Sequence, residues 1–237
     1  MTARRASGLL LAIDTATARV VLALGADDGT LLAADTWTAG HRHVEELLPR
    51  LEALLQDQGL DRAALAGMAG IIIGTGPGAF TGLRVGLATA KALAVAFGMP
   101  LAAVGTGVAL LAAAEAADPT IPAERLVLLL PAGPGGRYLV TRTGTRLVTE
   151  ADPLDLPADA VIVAVDLPGR APDLALARGE AALDQLPGIL LRLGAAKLCA
   201  GTADDPAGVV PEYVSLPRGA KAAPFAEAVT PWSPARP

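Results

Sequence analysis

Large rings and thiols are scarce in this chain of 237 residues: aromatics make up 3% of it and Cys199 is the one cysteine. With 52% hydrophobic residues a sizeable core can still form. It has to be built from Ala, Leu and Val at close helix and strand approach rather than around aromatic anchors. A lone cysteine cannot close an internal disulfide and has no partner spacing for zinc. It therefore reads as a small buried hydrophobe in a reducing compartment, which points to the cytoplasm. The two histidines, His41 and His43, stand at i, i+2. That spacing does not put two ligands on one helix face, so no metal site is expected. Charge is missing altogether from residue 92 to residue 114. This is long enough to raise a membrane span, but Gly98, Pro100, Gly105 and Gly107 interrupt it, and a helix end, a turn and a short strand explain it better. Arg4 and Arg5 ahead of an apolar run imitate a signal peptide, yet Asp14 ends the run too early for one. The net charge of −5 gives no overall attraction to polyanions, so contact with nucleic acid would need a local patch or a basic partner.

What is present reads as an α/β layer. The apolar run at residues 9–13, followed by runs at 20–24 and 31–34 around Asp27-Asp28-Gly29, predicts a meander of short strands. From Val44 the period of Leu47, Leu48, Leu51, Leu54 and Leu55 predicts a helix, with Glu46 and Arg50 one turn apart on its polar side and Gly59 as its stop. A strand at 68–73, a glycine-rich loop at 74–78, a helix at 80–97 closed by Gly98 and a strand at 101–104 complete a first domain, residues 1–104. A helix at 108–116, a strand at 126–130, a hairpin at 138–148 around Thr143-Gly144 and a strand at 160–165 suggest a smaller second domain, residues 105–217. No element is assigned between Val165 and Leu216. The proline-studded residues 218–237 are expected to be a flexible tail.

The loop Gly74-Thr75-Gly76-Pro77-Gly78 ahead of a helix invites a phosphate, since backbone N–H groups at such a place can hold an anion. It lacks the Lys of a P-loop, because Ala79 and Phe80 precede Thr81. It also lacks the acid that a dinucleotide site wants about twenty residues on, since no Asp or Glu occurs from residue 80 to residue 114. Asp14, at the end of the first strand, would suit a hydrated Mg²⁺ beside phosphate, or equally a cap on its own turn. Asp14, Gly76 and Gly78 are thus weak cofactor-binding candidates. Arg137, Arg142 and Arg146 along the hairpin would form a small basic patch or simply solvated edge charges. Gly82, Gly86 and Ala90, at i, i+4 and i+8, leave one stripe of the following helix almost bare. Either a foreign helix or the chain's own sheet can lie close against such a stripe.

Taken together, Leu10-Leu11-Ala12-Ile13-Asp14-Thr15-Ala16-Thr17, His41-Arg42-His43-Val44-Glu45-Glu46-Leu47-Leu48-Pro49, the run GTGPGAFTGLR from Gly74 to Arg84 and the residues 86–91 resemble the TsaB (YeaZ) family over roughly residues 8–107. The resemblance implies tandem actin-like, RNase H-like domains with a degenerate nucleotide site. It implies a non-catalytic dimerisation subunit that pairs with TsaD, the subunit that transfers a threonylcarbamoyl group to the anticodon-adjacent adenosine of tRNA, and with the ATPase TsaE. It further implies a homodimer when the chain is alone, tRNA met only indirectly, no membrane and no tightly bound cofactor, with ATP or ADP and Mg²⁺ held weakly or at the partner interface. The family's interface uses its first two helices, which here places Leu47, Leu51, Leu54, Gly82, Gly86 and Ala90 in it. The catalytic relative's His-x-x-x-His metal pair is absent, since the fourth residue after His41 is Glu45. The runner-up reading is an ATP-dependent kinase or ATPase of the same fold.

Overall fold

The structure, a computed structural model, describes residues 8–39, 43–149 and 152–212. The expected tail at 218–237 and His41 lie outside the described residues. Five strands, β1 (Leu9–Asp14), β2 (Arg19–Ala26), β3 (Leu31–Thr38), β4 (Gly70–Gly74) and β5 (Leu101–Val104), make a sheet of order β3-β2-β1-β4-β5. β1 runs antiparallel to β2 and parallel to β4, and β4 runs parallel to β5. A second sheet of β6 (Leu126–Pro131), β7 (Gly136–Thr141), β8 (Gly144–Thr149) and β9 (Val161–Ala164) has the order β8-β7-β6-β9. Its antiparallel meander with a parallel fourth strand repeats the first sheet, one strand shorter.

Among the described residues four α-helices fill the layers: α1 (His43–Asp57), α2 (Phe80–Phe97), α3 (Thr106–Ala117) and α4 (Asp173–Cys199). Successive side chains of a strand point to opposite faces. Leu9, Leu11 and Ile13 of β1 therefore join α1 and α2 in one core. Leu10 and Ala12 point the other way, into a core shared with α3, α4 and the inner face of the second sheet. A strand covered on both faces carries no polar alternation, which is why β1 reads as an unbroken apolar run. The expected strands of the meander, the helix from Phe80 to Phe97 with Gly98 in the left-handed conformation after it, and the hairpin all stand where the sequence placed them. Gly98 has φ 63°, which a residue without Cβ adopts at no steric cost.

Two readings change. The longest helix, α4, was not assigned, and it contains Pro187 and three glycines. Its glycines are places of contact: a Cβ on Gly179 would lie 1.9 Å from the Ala164 carbonyl oxygen, and one on Gly194 would lie 2.3 Å from Ile72. Since Ala164 belongs to the second sheet and Ile72 to the first, α4 lies against both sheets. The core under α3 and α4 thus crosses the boundary placed at residue 104. Cys199, read as buried, is exposed at the end of α4. The chargeless stretch 92–114 divides among the end of α2, β5 and α3. By length and composition α2 is apolar enough to cross a membrane, but it packs Leu83, Leu87, Ala90 and Ala94 into the protein, as core helices of soluble proteins also do.

Gly179→Ala tests the close approach of α4. The added Cβ meets backbone, which cannot swing aside as a side chain can, so the urea midpoint should fall with unchanged slope, by an equivalent of about 2–3 kcal/mol. An unchanged midpoint would mean that α4 stands farther from β9 than described.

Candidate functional site

Three segments meet where β1 ends: the β1–β2 turn, the glycine-rich loop between β4 and α2, and the start of α3. Asp14 lies at their centre and is fully buried. Its Oδ1 accepts the Ala16 N–H at 2.8 Å, and its Oδ2 accepts the Thr106 hydroxyl at 2.7 Å. The Thr106 oxygen in turn accepts the Gly76 N–H at 3.0 Å. Burial pushes the Asp14 carboxyl up from 3.8 to about 6, against the lowering by the Ala16 N–H and the Thr106 hydroxyl. Gly74 allows this packing, because a Cβ there would sit 1.9 Å from Asp14 Oδ2.

Three of the loop's donors are used within the chain. The Thr75 N–H donates to the Val104 carbonyl at 2.9 Å, that of Gly76 goes to Thr106, that of Ala79 donates to the Ala16 carbonyl at 2.7 Å, and Pro77 has none. At Gly78 a Cβ would lie 2.1 Å from the Ala16 carbonyl oxygen. These glycines bring the loop down onto the β1–β2 turn. The candidates Asp14, Gly76 and Gly78 are therefore brought together by the fold, but as an internal hydrogen-bonded junction rather than an open cradle.

The six residues read as a partner surface need correction. Leu47, Leu51, Leu54 and Ala90 are buried in the chain's own core, and so are Gly82 and Gly86. The Thr15 hydroxyl donates to the Gly82 carbonyl at 2.7 Å, and a Cβ on Gly86 would lie 2.2 Å from that hydroxyl oxygen. The bare stripe thus lets α2 sit down on β1. With that stripe inward, the opposite side of α2 turns out: Ala88, Ala92, Val95 and Ala96 are exposed, Val95 to 73%. On α1, Leu48 is 53% exposed. A groove of about 350 Å³ runs between the two helices, lined by Leu48, Pro49, Leu65, Leu93 and Phe97 with Leu51 reaching its floor. The six residues expected at a partner interface thus face the chain's own core. The signal that could have corrected that expectation is the second small-residue row, Ala88, Ala92 and Ala96, with the same spacing as the first.

Other charges are tied within the chain. Arg50 pairs with Asp35 at 3.0 Å and lies over the Trp37 ring at 4.5 Å. A cleft of about 530 Å³ on the second sheet is lined by Arg125, Arg142 and Arg146. Arg125 pairs with Asp159, Arg142 with Glu115, and Arg146 donates to the Leu154 carbonyl. Arg137 donates to the Arg170 carbonyl at 3.3 Å. The three hairpin arginines are thus held by separate partners rather than pooled as a basic patch. Asp166, which sequence reasoning passed over, follows β9 with φ 56° and accepts the Ala18 N–H at 2.7 Å. Burial raises its carboxyl above the usual range.

Comparisons with known proteins agree with this architecture. The family model described as TsaD, tRNA N6-adenosine threonylcarbamoyltransferase, matches residues 37–186. An uncharacterized protein of Mycobacterium leprae is 43% identical over 96 residues, 39% of this chain and 26% of that protein. The tRNA threonylcarbamoyladenosine biosynthesis protein TsaB of Escherichia coli is 35% identical over 97 residues, 41% of this chain and 40% of that protein. The matched stretch thus spans less than half the length of these curated relatives. Among solved structures, YeaZ from Pseudomonas aeruginosa superposes with a TM-score of 0.64 at 25% identity, covering 87% of this chain and 99% of that one. The two mixed sheets are accordingly an actin-like α/β fold.

Two outcomes are expected. Below about pH 3.8 the protonated Asp14 carboxyl contributes its full stability, and this is lost as pH rises through about 6. The stability of the wild type relative to Asp14→Asn should therefore fall by up to about 3 kcal/mol between acid and neutral pH in denaturant titrations; a flat difference would contradict the buried carboxyl. Gly86→Leu should lower the melting temperature of the isolated chain by several degrees, at about 2–4 °C per kcal/mol for a chain of this size. A variant as stable as the wild type would put the stripe back on the outside.

Proposed function

We propose, for a chain that belongs to the TsaD family (tRNA N6-adenosine threonylcarbamoyltransferase) and within it to the TsaB (YeaZ) kind, that it serves threonylcarbamoyladenosine synthesis in tRNA as a non-catalytic docking subunit. The observation that carries this reading is the outward side of α2, where the small or apolar side chains of Ala88, Ala92, Val95 and Ala96 are exposed. Small exposed side chains let a partner helix approach closely, and the groove can take one larger apolar side chain of that partner. The partner is the catalytic TsaD subunit, with TsaE joining the pair, or a second copy of this chain when TsaD is missing. tRNA is met through the catalytic subunit, in keeping with the net charge of −5. The place of work is the cytoplasm.

The internal use of the loop's N–H groups and the burial of Asp14 support a subunit that does no phosphoryl chemistry of its own, since an anion needs donors aimed at it. Nucleotide, where it plays a part, belongs to the assembled complex.

Ala92→Glu and Val95→Glu place a charge on the proposed face at positions that touch no core. Each should weaken binding to a TsaD partner about tenfold or more in calorimetry while leaving the unfolding midpoint where it was. Wild-type affinity in both variants would move the docking surface elsewhere and take this reading with it.

A further inference from the structure

After α4 the chain turns back over the first sheet. Asp204 forms a bridge with Leu101 beside β5, donating its N–H to the Leu101 carbonyl at 2.8 Å. Its carboxylate accepts the Ala103 N–H at 2.7 Å and the Lys197 ammonium at 2.6 Å, and Lys197 also donates to the Ala103 carbonyl. Val209 is buried in the core under α1 and α2. Residues 200–212 are thus fastened to the first half at several points before the chain reaches Glu212.

Glu212 then does something none of the earlier residues does. Its N–H donates to the Thr75 carbonyl at 2.8 Å, at the head of the glycine-rich loop. Its Oε1 accepts the Thr145 hydroxyl at 3.0 Å, on β8 of the second sheet. Its Oε2 reaches to 3.7 Å from where a Cβ of Gly105 would be, beside the passage from β5 into α3. One residue therefore touches the loop of the first half, the hairpin of the second and the connection between them.

That connection is also held from inside, by Thr106 on Asp14 and by the Gly107 N–H on the Gly76 carbonyl at 3.1 Å. A further clasp joins the β1–β2 turn to the second half. Asp166 accepts the Ala18 N–H, and Arg19 pairs with Asp184 at 2.7 Å and with Glu180 of α4. In a two-lobed α/β protein that works on a ligand between its lobes, the connecting segment must be free to bend as the lobes close. Here the segment is pinned on every side that the contacts describe.

We propose that Glu212 is a latch: by bridging Thr75 and Thr145 it fastens the strap of residues 200–212 across both halves, so that the glycine-rich loop and the β7–β8 hairpin are held in one fixed arrangement. The latch stands independently of any partner, because every group in it belongs to this chain.

Native-state hydrogen exchange of the full-length chain tests it. In Glu212→Ala and in Thr145→Val, amides of residues 144–149 should exchange about tenfold or more faster than in the wild type, while those of β1, β2 and α1 keep their rates. Glu212→Gln should keep most of the protection, since its amide oxygen still accepts the Thr145 hydroxyl. The double variant Glu212→Ala, Thr145→Val should exchange no faster than either single one, as two partners of one bond require. Wild-type rates in Glu212→Ala, or an acceleration spread evenly over all amides, would overturn the latch.

Discussion

The approach of α2 to β1 is the contact on which the rest depends. Gly82, Gly86 and Ala90 bring the helix down until the Thr15 hydroxyl bonds the Gly82 carbonyl, closer than any side chain at position 86 would allow. Gly costs a helix interior roughly 1 kcal/mol relative to Ala, and the shared core beneath the helix offsets that cost. Once this stripe is fixed inward, the helical period fixes everything else on α2. Leu83, Leu87 and Ala94 enter the core, and Ala88, Ala92, Val95 and Ala96 face out. The surface available to a partner is thus set by an internal contact.

The same economy of side chain governs the junction at the end of β1. Gly74 and Gly78 let the loop lie on Asp14 and Ala16, and the N–H groups of Gly76, Thr75 and Ala79 are turned to Thr106, Val104 and Ala16. An actin-like fold carries a cleft between its halves, but here the glycine-rich loop is used as packing material. Asp14 becomes a buried strut between β1 and α3, raised toward a pKa of about 6 by its burial.

Much of this was legible along the chain because local rules carried it. The meander showed in its strand runs and turn, α2 in its length between a glycine-rich loop and Gly98, and the hairpin in Thr143-Gly144. α4 was illegible for a physical reason: Pro187-Gly188 and the glycines at 179 and 194 look like breaks in a local reading. They are tolerated because the helix is held between two sheets that need it close. Asp166 and Glu212 were equally hidden, since each acts on residues about 150 and 67 to 137 positions away in the chain.

The sequence by itself determined the family, the α/β class and the order of most elements. It did so because strand runs, helical periods and the GTGPGAFTGLR segment are written in neighbouring residues. Only the tertiary structure decided which side of α2 is free, whether Asp14 is open to solvent, and how the two halves are fastened. A row of small residues fits a foreign helix and the chain's own strand equally well. The choice falls to whichever surface arrives first and closest, and in this chain that surface is β1, with Thr15 at its end.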